Sequence, residues 1–191
     1  MRGNTKNRIC QAALTLLDSE NNAERVSIRR VAAMAGITAM AIYKHFPNRE
    51  ALLREATSAE YVRIREYFER ANRDTSVASL RGMLGYLNYA LDHPNLFRYI
   101  FSSQRGDAYT YPTQLNTGSS PTMNLLHQVV QTLMATGELR QDDVFEVSLA
   151  IWAHAHGLIE LYLAGRFDLA PEQFRGLFLR SLNRLLAGLK P

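Results

Sequence analysis

The sequence predicts an all-α protein of about nine helices. Three observations carry this. Apolar residues recur at spacings of three and four in every long segment, and no stretch alternates with a period of two. Ser, Thr, Asn, Asp or Pro stands where each apolar pattern begins, and Gly or Pro follows where several end. Ile9, Ala12, Ala13, Leu16 and Leu17 make one face of a first helix. Ser27 is placed to cap a second helix with Ile28, Val31, Ala32 and Ala35 inward, and Gly36 to end it in the left-handed conformation. Thr38 caps a third, with Ile42 and Phe46 inward and Pro47 as its stop. Asn48 then caps a long fourth helix that opens with Arg49 and Glu50 and runs to about Asn72.

In the second half, Ser76 opens a helix through Leu80, Met83, Leu84, Leu87 and Leu91, broken at His93-Pro94, and NLFRYIF forms a short aromatic one. Residues 102–121, rich in Ser, Thr, Gly and Pro, are expected to form a flexible lid or a disordered excursion. Ser120-Pro121 starts a helix carrying Met123, Leu126, Val130, Leu133 and Met134, and two long helices close the chain, about Asp143–Ala164 and Pro171–Gly188.

Composition narrows the function. No apolar run approaches the ~20 residues of a membrane span, and the basic, amphipathic N-terminus lacks a signal-peptide core, so a cytoplasmic location is expected. The single Cys10 makes no internal disulfide and no multi-thiolate site; it is expected to pack as a small apolar residue. Residues 1–54 hold nine Lys/Arg against four acids, whereas the rest holds 13 against 14. A basic N-terminal module on a near-neutral body is what a polyanion partner asks for.

The stretch AGITAMAIYKHFPNRE, residues 35–50, gives that module its form. Ser27 to Phe46 reads as a helix-turn-helix whose second helix turns Thr38, Ala39, Met40, Ala41, Tyr43 and Lys44 outward, where base edges and phosphates of a major groove would lie. Arg2, Lys6 and Arg8 in a leading arm, Arg29, His45 and Arg49 supply further phosphate contacts. Taken alone, such a helix pair is also a common way to pack two helices. GITAMAIYKHFPNREALL resembles the signature of the TetR (tetracycline repressor) family of bacterial transcriptional regulators, through Gly36, Thr38, Ile42, Tyr43, Phe46, Glu50, Ala51 and Leu52. The resemblance implies that Arg29, Ala39, Met40, Ala41 and Lys44 face bases while Ser27, Thr38, Tyr43, His45 and Arg49 hold phosphates. It also implies a division into a DNA-binding domain, residues 1–54, and a helical ligand-binding and dimerisation domain, residues 55–191. Family members often carry a longer polar residue near Ala39. Its absence points to thymine-methyl contacts and shape readout.

The last helix carries Phe174, Phe178, Leu182 and Leu185, with Leu177 and Leu186, as a stripe that suits either an intrachain core or a dimer interface. The family pairs its last two helices with their copies as a four-helix bundle, so the resemblance favours a homodimer. YLNYALDHPNLFRYIF and IWAHAHGLIELYL resemble the C-terminal ligand domain of a TetR subfamily named for a Trp, a His and a Gly, here Trp152, His156 and Gly157. Tyr86, Tyr89, Phe97, Phe101, Trp152 and His156 would then line an effector cavity, or equally fill it. His156 is open to three readings: a core histidine satisfied by a neighbouring hydroxyl, a pocket handle, or, least of all, a metal ligand, since His154 lies two residues away on another face. The expected function is a ligand-responsive repressor that binds a pseudo-palindromic operator of double-stranded DNA as a dimer and is released by a small, largely apolar effector. No cofactor, metal or catalytic residue is expected. The rivals are a DNA-binding dimer without an effector and a helical enzyme using His156 and Glu160.

Overall fold

The computed structural model describes residues 2–72, 82–111, 113–115 and 120–191. The described residues are helical or irregular, with no strand. The α-helices are α1 (Arg2–Ser19), α2 (Ile28–Met34), α3 (Ala39–Tyr43), α4 (Arg49–Ser58), α5 (Glu60–Asn72), α6 (Gly82–Asp92), α7 (Pro94–Phe101), α8 (Pro121–Ala135), α9 (Val144–Leu163) and α10 (Pro171–Ala187), with one 3-10 turn at Ala23–Arg25. Only Ala59 separates α4 from α5, and together they span the single long helix expected over residues 49–72. The Ser76 cap and Leu80 lie outside the described residues, as do residues 112 and 116–119 of the expected lid. Part of that stretch is ordered by a turn in which Gln114 and Leu115 N–H both donate to Thr110 O.

The chain divides into two compact units, residues 1–62 with 93–108 and residues 63–92 with 109–191. In the first, α1 packs on α2, α4 and α7. Ile9, Ala13, Leu16 and Leu17 are buried, as are Leu52, Leu53 and Ala56 of α4 and Leu96, Phe97 and Ile100 of α7. Polar bonds fix the start of α7 on the end of α1: His93 Nδ1 is 2.7 Å from Asp18 Oδ2, and Asn95 Nδ2 donates to the Asp18 carbonyl at 2.7 Å. Thus residues 93–108 fold with the N-terminal helices and not with the remainder of the C-terminal half.

In the second unit α9 is central, packed on α6, α8 and α10. Tyr162 of α9 stacks on Phe174 of α10, with ring centroids 4.0 Å apart and 17° between planes. His154 Nε2 meets Ser181 Oγ at 3.0 Å, and Arg175 Nε donates to Asn88 Oδ1 at 2.8 Å, tying α10 to α9 and α6. A close approach links α5 to α6. A Cβ added to Gly85 would lie 2.4 Å from Tyr67 O and 2.6 Å from Phe68 N, so only a glycine fits between these backbones.

Candidate nucleic-acid interface

The local sequence builds the reading head by end-capping. Ser27 Oγ accepts from Arg30 N at 3.3 Å to start α2. Gly36, at φ 64°, ends it: Ile37 N–H returns to Ala32 O and Gly36 N–H to Ala33 O, the paired bonds of a left-handed helix stop. Thr38 Oγ1 accepts from Ala41 N at 3.2 Å to start α3, and Asn48 Oδ1 from Ala51 N at 2.8 Å to start α4. Val31, Ala32, Ile42 and Phe46 are buried beneath the pair. Helix α3 is shorter than its pattern suggests. It closes at Tyr43, and residues 44–46 continue as a turn, because Pro47 disfavours the α conformation at Phe46.

The outward side of α3 is apolar and open. Met40 is 69% exposed and Tyr43 52%, with Lys44 and Thr38 exposed beside them and Ala39 and Ala41 half-buried. Arg8, Arg29 and Lys44 are exposed and form no ion pair among the described residues. His45 is half-buried, its ring against Phe46.

Two expected phosphate contacts have other partners. Arg49 Nε donates to Val26 O at 2.7 Å, and one Nη donates to Ala23 O. Its guanidinium therefore clamps the start of α4 onto the turn that precedes α2, a scaffold role in place of the expected phosphate contact. Lys6 Nζ is 2.6 Å from Glu55 Oε1, and Arg2 and Lys6 belong to α1, not to a free leading arm. Arg30 is paired with Glu20 at 2.5 Å.

The expected cavity and interface residues are placed as follows. Tyr86, Tyr89 and Phe97 are at most 2% exposed, so no water-sized space opens against them; they fill core where a cavity lining was expected. Phe101, Trp152 and His156 keep partial exposure. Trp152 Nε1 donates to Tyr86 Oη at 3.1 Å, and Tyr86 Oη is 3.0 Å from His156 Nδ1. Since an indole N–H only donates, the tyrosine hydroxyl accepts it and also meets the imidazole Nδ1, so the one hydroxyl joins the two rings of α9. Burial holds the Tyr86 hydroxyl well above the ordinary tyrosine range and pushes the His156 imidazole below its ordinary value, against an opposing pull from Glu160. The satisfied-core reading of His156 fits this network. Phe174, Phe178 and Leu182 are at most 1% exposed within the single chain. They are core of the second unit and have no surface left for a partner, which corrects the expected interface at these three positions; Leu177, Leu185 and Leu186 of the same stripe are half-buried.

Two family models match the sequence. Residues 9–56 fit that of the bacterial regulatory proteins of the tetR family, and residues 80–185 fit the tetracyclin repressor-like C-terminal domain. The chain belongs to the TetR family. As a TetR-family chain it is a DNA-binding transcriptional regulator and not an enzyme. Solved structures agree in fold. A protein of unknown function from Rhodococcus sp. RHA1 is 25% identical, with a TM-score of 0.78 over 98% of this chain and 96% of that one. A TetR family transcription regulator from Marinobacter aquaeolei VT8 is 18% identical, with a TM-score of 0.68 over 96% and 97%. RolR in complex with resorcinol is 18% identical, with a TM-score of 0.64 over 94% and 87%. No curated protein sequence matches this TetR-family chain.

No helix among its described residues is long and apolar enough to cross a membrane, and no three His, Cys, Asp or Glu among them are grouped to hold a metal ion. Sequence reasoning did not find Gly85, the Arg49 clamp or the buried Arg105. Gly85 and Arg49 depend on partners distant in sequence, and the burial of Arg105, whose fork partner Asp107 is only two residues on, depends on the packing around it. The Tyr86–His156 bond gives a pH signature. An imidazole depressed in the folded state binds its proton more readily when unfolded, so its contribution is present above the ordinary value of 6.5 and is lost as pH falls below it. Replacing His156 with Asn, which keeps an acceptor near Tyr86, is expected to flatten the loss of melting temperature between about pH 7 and 5. An unchanged slope would show that His156 does not carry it.

Proposed function

We propose that this TetR-family regulator inserts α3 into the major groove of a pseudo-palindromic operator as a two-fold dimer, represses there, and is released by a small, largely apolar effector. The exposed Met40–Tyr43–Lys44 face carries the DNA part. Met40 and the two alanines offer surface to thymine methyl groups, and Lys44 and Arg29 offer charge to bases or phosphates. Ser27, Thr38, Tyr43 and His45 are the proposed phosphate contacts, and Arg49 acts by positioning α4 beneath them. The functional boundary near residue 54, with effector and dimer functions in residues 55–191, belongs to the same proposal.

For the dimer, a different face replaces the expected one. Leu149, Ala150, Ala153, Gly157, Leu161 and Ala164 lie along one side of α9 and are exposed or half-buried, with Leu149 at 37% and Leu161 at 47%. A helix face this small and apolar suits close packing against a second copy, in keeping with the family's four-helix bundle. The effector reading draws on the resorcinol bound to RolR, a relative in fold, and on the partial exposure of Trp152 and His156 in the second unit. A DNA-binding dimer that answers no effector remains the alternative. The test is selection from a random duplex pool, followed by measuring affinity for the enriched duplex with and without a metabolite library. Inverted repeats should be enriched, and at least one compound should weaken binding tenfold, a coupling of about 1.4 kcal/mol. A pool that stays random defeats the operator reading, and a library without effect favours the effector-free dimer.

A further inference from the structure

The first compact unit holds an unfinished recognition group. Arg105, in the loop after α7, carries a full charge on a side chain that is only 7% exposed. Its Nε donates to Asp107 Oδ1 at 2.9 Å and Nη2 to Asp107 Oδ2 at 2.6 Å, a two-point fork that fixes the plane of the guanidinium. The plane is also held by Tyr99, whose ring centroid lies 4.8 Å from the guanidinium carbon. Nη1 is buried and has no hydrogen-bond partner. The contrast with Arg49 is informative. That guanidinium is half-buried, but backbone carbonyls take up Nε and Nη2, and Nη1 faces the Glu50 carboxylate at 3.9 Å. Buried donors on a charged group are costly to leave unmet, so an oriented guanidinium with one free nitrogen is shaped for an acceptor that comes from outside the chain.

The surrounding charge says which acceptor. Arg54 acts on the Asp107 carboxylate, and Arg49 acts on the Tyr99 hydroxyl, so both cations lie within electrostatic reach of this corner. With Arg105 they outnumber the acids Asp107 and Glu50 that act on the same groups. A second anion is therefore tolerated beside Asp107. We infer that Arg105 Nη1, presented by the Asp107 fork over the Tyr99 ring, is the anchoring point for the carboxylate of a small organic acid. This inference rests on the proposed effector response and gives that effector a chemical class. Its place matters for the response, since Arg105 belongs to the same unit as α2 and α3, and Arg49, which acts on Tyr99, grips the turn just before the Ser27 cap.

The probe is sodium benzoate, with benzamide as its neutral counterpart, titrated by calorimetry into the full chain. Wild type should bind benzoate more tightly than benzamide. R105K keeps a charge for Asp107 but lacks the second arm, and should weaken benzoate at least tenfold, about 1.4 kcal/mol. The double variant R105M/D107L removes the pair without leaving a buried charge, and should abolish binding while far-ultraviolet circular dichroism stays that of wild type. Unchanged benzoate affinity in both folded variants, preference for benzamide, or no binding by wild type overturns the site, as does a crystal soaked in benzoate with only an ordered water on Nη1. The selected duplex separates this from the broader reading. Benzoate that binds through Arg105 but leaves DNA affinity unchanged upholds the site and defeats the effector role, whereas a non-acidic compound that releases DNA independently of Arg105 upholds the effector role and defeats the site.

Discussion

Gly85→Ala is expected to be among the most damaging single changes in the chain. The added methyl would sit 2.4 Å from a backbone carbonyl oxygen and 2.5 Å from its carbon, with a backbone nitrogen at 2.6 Å. None of these atoms belongs to a flexible side chain that can swing away, so α5 and α6 must move apart. That movement loosens Tyr67 against Tyr89, now edge to face at 5.5 Å, and Phe68 against Tyr86, at 6.2 Å. Overpacking costs 1–3 kcal/mol in typical cores and more where backbone blocks relaxation. A loss of about 3 kcal/mol or more is expected here, read as a lowered urea midpoint. A melting curve like that of wild type would mean that the two helices do not cross as closely as described.

Leu182→Arg should unfold the second unit. Leu182 is 1% exposed, and an unpaired charge there has no route to water. The expected cost is roughly 3–5 kcal/mol, comparable with the whole stability of many domains. The contrasting change is Leu161→Arg. Leu161 is 47% exposed in the single chain, so a charge there is tolerated by the fold. If α9 pairs with its copy, that variant stays folded and sediments as a monomer. Should Leu182→Arg remain folded and merely dissociate, the interior assignment of the Phe174–Phe178–Leu182 stripe fails.

The two changes show where sequence reasoning stops. The stripe on α10 was legible, but periodicity states only that a face is covered, not which body covers it. Caps are different, because their partners lie within three residues. Ser27, Thr38, Asn48 and Asp143 accept from backbone N–H groups three positions on, and Gly36 takes the left-handed stop. Hence the helix order and the outward face of α3 could be read in advance. Arg49 could not be resolved in the same way, since its acceptors lie 23 and 26 residues earlier. Gly85 looks like any helical glycine until its neighbour is known. The Trp152–Tyr86–His156 network joins residues 66 and 70 positions apart, so the sequence could offer the histidine only as a set of alternatives.

The central claim is that the outer face of α3 reads DNA. Its most direct test is the affinity of M40A/Y43A/K44A for the duplex enriched by wild type, over a series of salt concentrations. All three side chains point away from the core, and Met40 and Tyr43 are more than half exposed, so the variant should melt like wild type. Loss of the Met40 and Lys44 base contacts at about 1–3 kcal/mol per position, together with the Tyr43 phosphate contact, should reduce specific binding by a hundredfold or more, with a shallower salt dependence from the missing Lys44 charge. Equal affinity of variant and wild type for that duplex, at every salt concentration, would contradict the assignment of α3 as the reading helix.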